Sequence, residues 1–330
     1  MADVSYIICT YNNASLLSGC ILSILNQDYT DINSVELIVV DNNSIDETKK
    51  VVEEFQQTSK FVNINYVLEK KQGVGYARIT GAKKAKGEFL IYVDDDIRQK
   101  PNWCKEALRF FHNHPKAGLV GGRIALKYLV PPTPTVQMCE TVLCRMDFGS
   151  EELEAWSGKG NIYLVGATFA CRRKALYESG WIENPVLIGR TGKNLTSGED
   201  TEIFFRIKNQ GWELWYSPNL GATHEIPEKR MTVSYLCQLH RNISRSSAQL
   251  RALYSYGEVS VGTQALNLTK DLFNLGKRSM AWLIKDMLLG KNIGNKRYIQ
   301  IFETYGRVES SFAYLFEDKS KYHIEKKQSK

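Results

Sequence analysis

No run of about 18 consecutive apolar residues occurs in the 330-residue chain, so no segment is expected to span a membrane. Histidine (five) and proline (eight) are scarce. The seven cysteines, at positions 9, 20, 104, 139, 144, 171 and 237, form neither a CxxC pair nor a Cys/His cluster. That spacing excludes a zinc module and a disulfide framework, and the expectation is a reduced, cytoplasmic chain, peripheral to a membrane at most. No basic segment precedes the first strand-like run, so no signal peptide is expected. The loop after that strand, Thr10-Tyr-Asn-Asn-Ala-Ser15, contains neither Gly nor Lys. It therefore counts against a nucleotidyltransferase, which would bind triphosphate there with a Gly-rich basic loop. No internal repeat and no stacking-aromatic motif of a nucleic-acid binder is present, so nucleic acid is not an expected partner.

What the chain does contain is unevenly spread. Of its net +7, residues 1–225 carry 25 Lys/Arg against 27 Asp/Glu, whereas residues 226–330 carry 18 against 9. The basic excess thus belongs to the C-terminal third, and two functional regions are expected. A chain of this length that is 43% hydrophobic can bury a large core, as one α/β domain or a domain with an appendage.

Short β-branched runs at 4–9, 35–40, 63–67 and 88–93 alternate with helical stretches near 14–27, 46–57 and 74–86. Leu17, Cys20, Ile21, Ile24 and Leu25 fall on one stripe at 3/4 spacing. Strands separated by helices imply right-handed crossovers and a mostly parallel, doubly wound sheet. Residues 128–160 read as a long loop and a candidate lid, order resuming over 161–170. A helix over 201–210 and short strands near 213–216 and 220–224 follow. Beyond 230 the pattern is helical, with stripes Met280, Leu283, Ile284, Met287, Leu288 and Ile301, Tyr305, Val308, Phe312, Leu315.

In an open α/β sheet, ligands collect at the carboxyl ends of the strands. Three polar clusters sit there: Thr10–Asn13, Asp41–Ser44 and Asp94-Asp95-Asp96. In extended chain Asp94 and Asp96 point to one side, and the pair suits a hard divalent cation, Mn²⁺ or Mg²⁺, bound partly through phosphates. Glu199-Asp200 opens a helix. Asp200 there fits a helix cap, or a general base that takes a proton from an acceptor hydroxyl. Gln72-Gly-Val-Gly-Tyr-Ala-Arg78 leads into another helix, and Arg78 fits a phosphate contact or a structural ion pair. His224 is a candidate nitrogen ligand to the cation. Arg230 is a weaker candidate for holding phosphate.

Taken in order, Cys9-Thr-Tyr-Asn12, Val39-Val-Asp41-Asn-Asn-Ser44, Gly73-x-Gly-x-Ala-Arg78, Asp94-Asp-Asp96, Gly198-Glu-Asp200 and His224-x-x-Pro227 resemble family 2 of the inverting GT-A glycosyltransferases over residues 3–232. The resemblance implies a GT-A, Rossmann-like α/β catalytic domain over 1–230. Its nucleotide-sugar half would be 1–125 and its acceptor half 126–230, followed by a helical region over 231–330. It further implies that Thr10, Tyr11, Asn12, Asp41, Asn43, Gly73 and Arg78 serve the donor nucleotide. Asp94, Asp95 and Asp96 would be shared between ribose and metal, with His224 near the metal. Gly166, Ala167 and Thr168 would face the sugar and acceptor, although Thr168 stands where the family commonly has Asn. Asp200 would be the base, with Glu199 beside it touching sugar. The implied reaction is metal-dependent, inverting transfer from a nucleotide-diphospho-sugar to a glycan or lipid-linked acceptor, in bacterial surface polysaccharide or glycolipid synthesis. Asp41 suits a pyrimidine base, so UDP-sugars lead. For residues 233–330, with Lys277, Arg278, Lys285, Lys291, Lys296 and Arg297 among their apolar stripes, two expectations stand. One is a bundle packed on the catalytic domain or on a second subunit of a homo-oligomer; the other is a surface for an anionic membrane. A non-enzymatic adaptor would leave Asp94–Asp96 and Glu199-Asp200 without a task.

Overall fold

The computed structural model describes residues 3–158, 162–191, 197–246, 250, 260–290 and 295–316. The chain begins β1 (Asp3–Thr10), α1 (Ala14–Leu25), β2 (Ser34–Asp41), α2 (Thr48–Thr58), β3 (Asn63–Leu68), α3 (Val74–Lys84) and β4 (Phe89–Asp94). It continues through β5 (Ile97–Gln99), α4 (Trp103–Asn113), β6 (Ala117–Tyr128), α5 (Pro134–Gln137), β7 (Leu153–Glu154), β8 (Thr168–Arg172), α6 (Arg173–Glu178), α7 (Glu199–Asn209) and β9 (Glu213–Ile226). Among the described residues three long helices close it: α8 (Val233–Arg245), α9 (Val261–Trp282) with a π-helical extension (Leu283–Leu288), and α10 (Lys296–Phe316).

The strands form one open sheet in the order β3-β2-β1-β4-β8-β6-β9-β5, with β7 added on β9. β3, β2, β1 and β4 run parallel, while β8 joins β4 antiparallel. Tyr6, Ile7 and Ile8 of β1 are wholly buried, as expected for a strand covered by helices on both faces. Each such side chain stabilises the fold by roughly 1.5–3 kcal/mol. The expected stripe of α1 does face the core, with Leu17, Cys20, Ile21 and Ile24 buried. Because β2 and β4 flank β1 on opposite sides, the sheet has a switch point between β1 and β4, where the carboxyl ends open a crevice.

The structure corrects two expectations. Residues 213–226 form one unbroken strand, β9, where two short strands near 213–216 and 220–224 were expected. β7 pairs its first part and β5 its last, so both ends of the strand are held. Within 128–160, α5 and β7 interrupt the expected loop, and Val136, Leu143 and Met146 are buried; Asn161 lies outside the described residues. In the C-terminal helices, for which a packed bundle and a membrane surface both stood as expectations, Tyr305 and Phe312 are exposed, while Thr304, Gly306, Ser310 and Ser311 are buried.

The chain divides into two compact units. The first is drawn from Met1–Lys127, Leu143–Gly192 and Glu199–Ile226, the second from Tyr128–Val142, Lys193–Gly198 and Pro227–Lys330.

Candidate active site

Sheet register assembles the site within the first unit. Thr10 lies opposite Asp41, and Cys9 opposite Asp94, so three polar strand ends are neighbours although 84 positions separate the outermost. Asp95 is buried and clamps the first loop: its Oδ2 accepts from Thr10 Oγ1 at 2.7 Å and its Oδ1 from Asn13 Nδ2 at 2.7 Å. Asp41 is 2% exposed, accepting from the Ser44 backbone at 2.8 Å and from the Tyr66 hydroxyl at 2.7 Å. Asn12 and Asn43 adopt left-handed backbone conformations (φ 49° and 67°), which Asn tolerates better than most residues. The Asn12 side chain accepts from Ile45 N, and Tyr11 and Asn43 are exposed beside it. Gly73 (φ 143°) opens α3 and donates its N–H to Asn42 Oδ1; an added Cβ there would lie 2.4 Å from Ile188.

Arg78, 3% exposed, joins the strand ends to α7. Its Nη2 donates to Asp94 Oδ1 (3.2 Å) and to the Gly166 carbonyl (2.9 Å), and its Nη1 to Glu199 Oε1 (3.2 Å). The same Gly166 donates its N–H to Asp200 Oδ2 at 2.8 Å. One residue, Gly166, therefore ties Asp200 to the guanidinium that grips Asp94. Gly166 is required here because a Cβ would fall 2.4 Å from Asp200 Cβ. Ala167 is buried and its carbonyl accepts from Asp94 N at 2.8 Å. Thr168 is wholly buried and accepts from Gln99 Nε2 at 2.9 Å. The family model for glycosyl transferase family 2 matches residues 5–180, a span that holds every one of these strand ends.

The chain belongs to glycosyl transferase family 2. It is 23% identical over 244 residues to a dolichyl N-acetyl-alpha-D-glucosaminyl phosphate 3-beta-D-2,3-diacetamido-2,3-dideoxy-beta-D-glucuronosyltransferase of Methanococcus voltae, covering 71% of this chain and 72% of the relative. It is 24% identical over 310 residues to a pre-mycofactocin glycosyltransferase of Mycobacterium tuberculosis, 92% of this chain but 57% of the relative, so it spans little more than half of that protein. A mannosyltransferase from Pyrobaculum calidifontis, solved with GDP-Man and Mn²⁺, shares the GT-A fold at TM-score 0.59 and 16% identity over 96% of this chain and 88% of the other.

In this glycosyltransferase, β5 pairs antiparallel with β9 and sets Ile97 opposite His224, which carries the imidazole to the acidic strand end. His224 Nδ1 donates to the Leu143 carbonyl at 2.9 Å, and Nε2 faces Asp96 Oδ1 at 3.3 Å. Asp96 is 1% exposed. With Nδ1 donating to a carbonyl, Nε2 offers a lone pair beside a carboxylate oxygen, a nitrogen–oxygen donor set that a cation can join. Among the described residues, no three His, Cys, Asp or Glu side chains group to hold a metal unaided. The pair therefore fits a divalent ion that takes its remaining ligands from substrate phosphates and water. Arg230 belongs to the second unit, on the turn Glu228–Arg230.

Glu199 is buried, and among the described residues its Oε2 has no hydrogen-bond partner. Burial, followed by the charge of Asp200, pushes its carboxyl up to about 7 despite Arg78. For Arg78, burial acts to lower the pKa, but Asp94 and Glu199 outweigh it and raise it. The folded state thus holds a Glu199 proton that the unfolded chain releases near its ordinary value, so this group's contribution to stability falls as pH rises from about 4.5 to about 7. Glu199→Gln removes that dependence. Denaturant melts at pH 5 and pH 8 should show the variant's stability relative to wild type improving by about 1–3 kcal/mol at the higher pH. Parallel curves would mean that Glu199 is ionised throughout.

Three contributors escaped the sequence reading. Asn42 pins two loops, donating to the carbonyls of Glu69 and Lys71 and accepting from Gly73 N. Its position between Asp41 and Ser44 was the available signal. Glu202, wholly buried, accepts from Val186 N, Leu187 N and Arg206, and so fixes the segment whose Ile188 and Arg190 carbonyls receive the first N–H groups of α3. Arg190, on that segment, places a positive charge near Asp94 and Glu199. As a lone Arg in a Gly-rich stretch, it gave no signal.

Proposed function

We propose that the protein transfers a sugar from a nucleotide-diphospho-sugar, a UDP-sugar being favoured, to a hydroxyl of a glycan or lipid-linked acceptor, with inversion at the anomeric carbon. The observation that carries this reading is the backbone of Gly166, which binds the candidate base Asp200 through its N–H and Arg78, the partner of Asp94, through its carbonyl. In this reading residues 1–125 form the donor half and 126–230 the acceptor half. Tyr11, Asn12, Asp41 and Asn43 frame the nucleoside, with Thr10 and Asp95 fixing the loop that carries Tyr11. Gly73 lets α3 begin against residue 188, and Arg78 is a positioning residue. Gly166 and Ala167 shape the sugar side, Thr168 supports them from within, and Glu199 borders the acceptor. Arg230 is kept as a candidate phosphate contact.

Asp200 takes the proton of the acceptor hydroxyl. The acceptor oxygen bonds to the anomeric carbon as the bond from that carbon to the phosphate oxygen breaks, and the nucleoside diphosphate leaves with the electron pair. A divalent cation, Mn²⁺ or Mg²⁺, held by Asp94, Asp96, His224 and the diphosphate, would supply charge to stabilise that leaving group. The dolichyl-phosphate-linked acceptor in the name of the M. voltae relative supports a lipid-linked acceptor here.

Thermal-shift measurements with UDP, dTDP and GDP, with and without Mn²⁺, test the donor and the metal together. UDP with Mn²⁺ at about 100 times Kd should stabilise the wild type by roughly 3 kcal/mol, and Asp96→Ala should lose the metal-dependent part. Equal stabilisation by GDP would overturn the UDP preference; an unchanged Asp96→Ala response would overturn the metal role.

A further inference from the structure

The C-terminal helices bury Leu236, Leu239, Ile299 and Tyr314 but leave a second set of apolar side chains, most of it on α9, exposed. On α9 the side turned to α10 carries ion pairs and hydrogen bonds alongside one ring contact, Trp282 with Tyr298. Asp271 pairs with Arg307 at 3.1 Å, and Arg278 donates to the Gln300 carbonyl at 3.0 Å. Just beyond, Asp286 pairs with Arg297 at 2.6 Å. α10 meets α8 through small residues: a Cβ on Gly306 would lie 2.1 Å from the Arg241 carbonyl, and Ser310, one turn on, is buried. The opposite face of α9 and its extension presents Leu266, Lys270, Phe273, Lys277, Met280, Ile284 and Met287 at alternating 4/3 spacing, all exposed. Phe273 is 73% exposed, Met287 61% and Leu288 72%.

Water-soluble helices bury their apolar stripe, and an exposed one of this length marks a contact with something apolar. Polar and small residues inside, with apolar residues outside, is the packing used against lipid. We propose that this face of α9 docks in the plane of an anionic membrane surface, its Leu, Phe, Met and Ile side chains entering the acyl boundary. Lys270 and Lys277 extend along the same face to reach lipid phosphates. Among the described residues no helix is long and apolar enough to cross a membrane, so the contact proposed is interfacial. The same lysines argue against a second copy of this chain as the occupant. A two-fold helix pair through this face would bring Lys270 and Lys277 into the seam where a coiled coil needs apolar residues. The excess of 18 Lys/Arg over 9 Asp/Glu in residues 226–330 complements anionic lipid. The proposal stands apart from the choice of donor and acceptor.

The test is flotation of the full chain with vesicles of phosphatidylcholine alone or mixed with phosphatidylglycerol, at low and high salt, with thermal melts of each variant as a folding control. The wild type should float with the anionic vesicles at low salt. Lys270→Gln/Lys277→Gln should weaken that partition roughly thirtyfold, and Phe273→Ser/Met287→Ser by on the order of a hundredfold. No flotation with anionic vesicles at low salt would overturn the proposal. So would a stable dimer in sedimentation that Phe273→Ser/Met287→Ser dissociates, since a second copy would then own the face.

Discussion

Replacing Asp200 with Asn should lower turnover by about 10²–10⁴-fold while leaving donor-nucleotide binding nearly unchanged. The substitution keeps the shape of a side chain whose Oδ2 accepts from Gly166 N and whose Oδ1 accepts from Thr201 N at 2.7 Å. An amide can replace only one of those acceptors, which costs about 1–2 kcal/mol of stability and leaves the fold intact. It cannot take a proton at neutral pH. Gly166→Ala is the companion test, because it leaves the carboxylate in place and introduces a Cβ 2.5 Å from Asp200 Oδ2. Both variants should lose rate in an assay of nucleoside diphosphate release, and both should still bind nucleotide by calorimetry. An Asp200→Asn enzyme that keeps more than about a tenth of the wild-type rate would identify this carboxylate as a helix cap, since a positioned base contributes far more than that.

Arg78→Met should destabilise the protein by about 3–5 kcal/mol and abolish transfer. The guanidinium serves three acceptors on three segments, and removing it takes the hydrogen-bonded counter-charge from Asp94 and Glu199, leaving only the charge of Arg190 near them. Desolvation already pushes Glu199 toward its neutral form, and loss of Arg78 would push it further. Arg78→Lys restores one charge but not the planar fork, so it should fall between Met and wild type in both urea melts and activity. A loss below about 1 kcal/mol for Arg78→Met, the range of a surface ion pair, would show that water reaches this cluster.

The parallel half of the sheet was legible because its signals are local. Apolar runs such as Phe89–Val93 and the stripe on α1 report which faces will be buried, and the polar loops after β1, β2 and β4 follow from where such strands must end. The continuity of β9 was not legible, because Pro218 normally interrupts a strand and it is pairing with β6, β5 and β7 that keeps it extended. The apolar stripes of α9 and α10 were read as helical correctly. Periodicity fixes that such a face exists and says nothing about which way it turns, and here it turns outward.

The same division holds at the site. The sequence by itself determined the carboxylates, their order along the chain and the glycines that precede α3 and the Glu199-Asp200 pair, because those are matters of residue type and local backbone. Only the tertiary structure decided that Arg78 is enclosed by protein acceptors, that Asp95 holds Thr10 and Asn13, and that His224 stands 3.3 Å from Asp96. Each of those contacts depends on strand register or on a crossover between segments tens of residues apart. The free energy that selects the register comes from burying the whole sheet, to which no single motif holds the key.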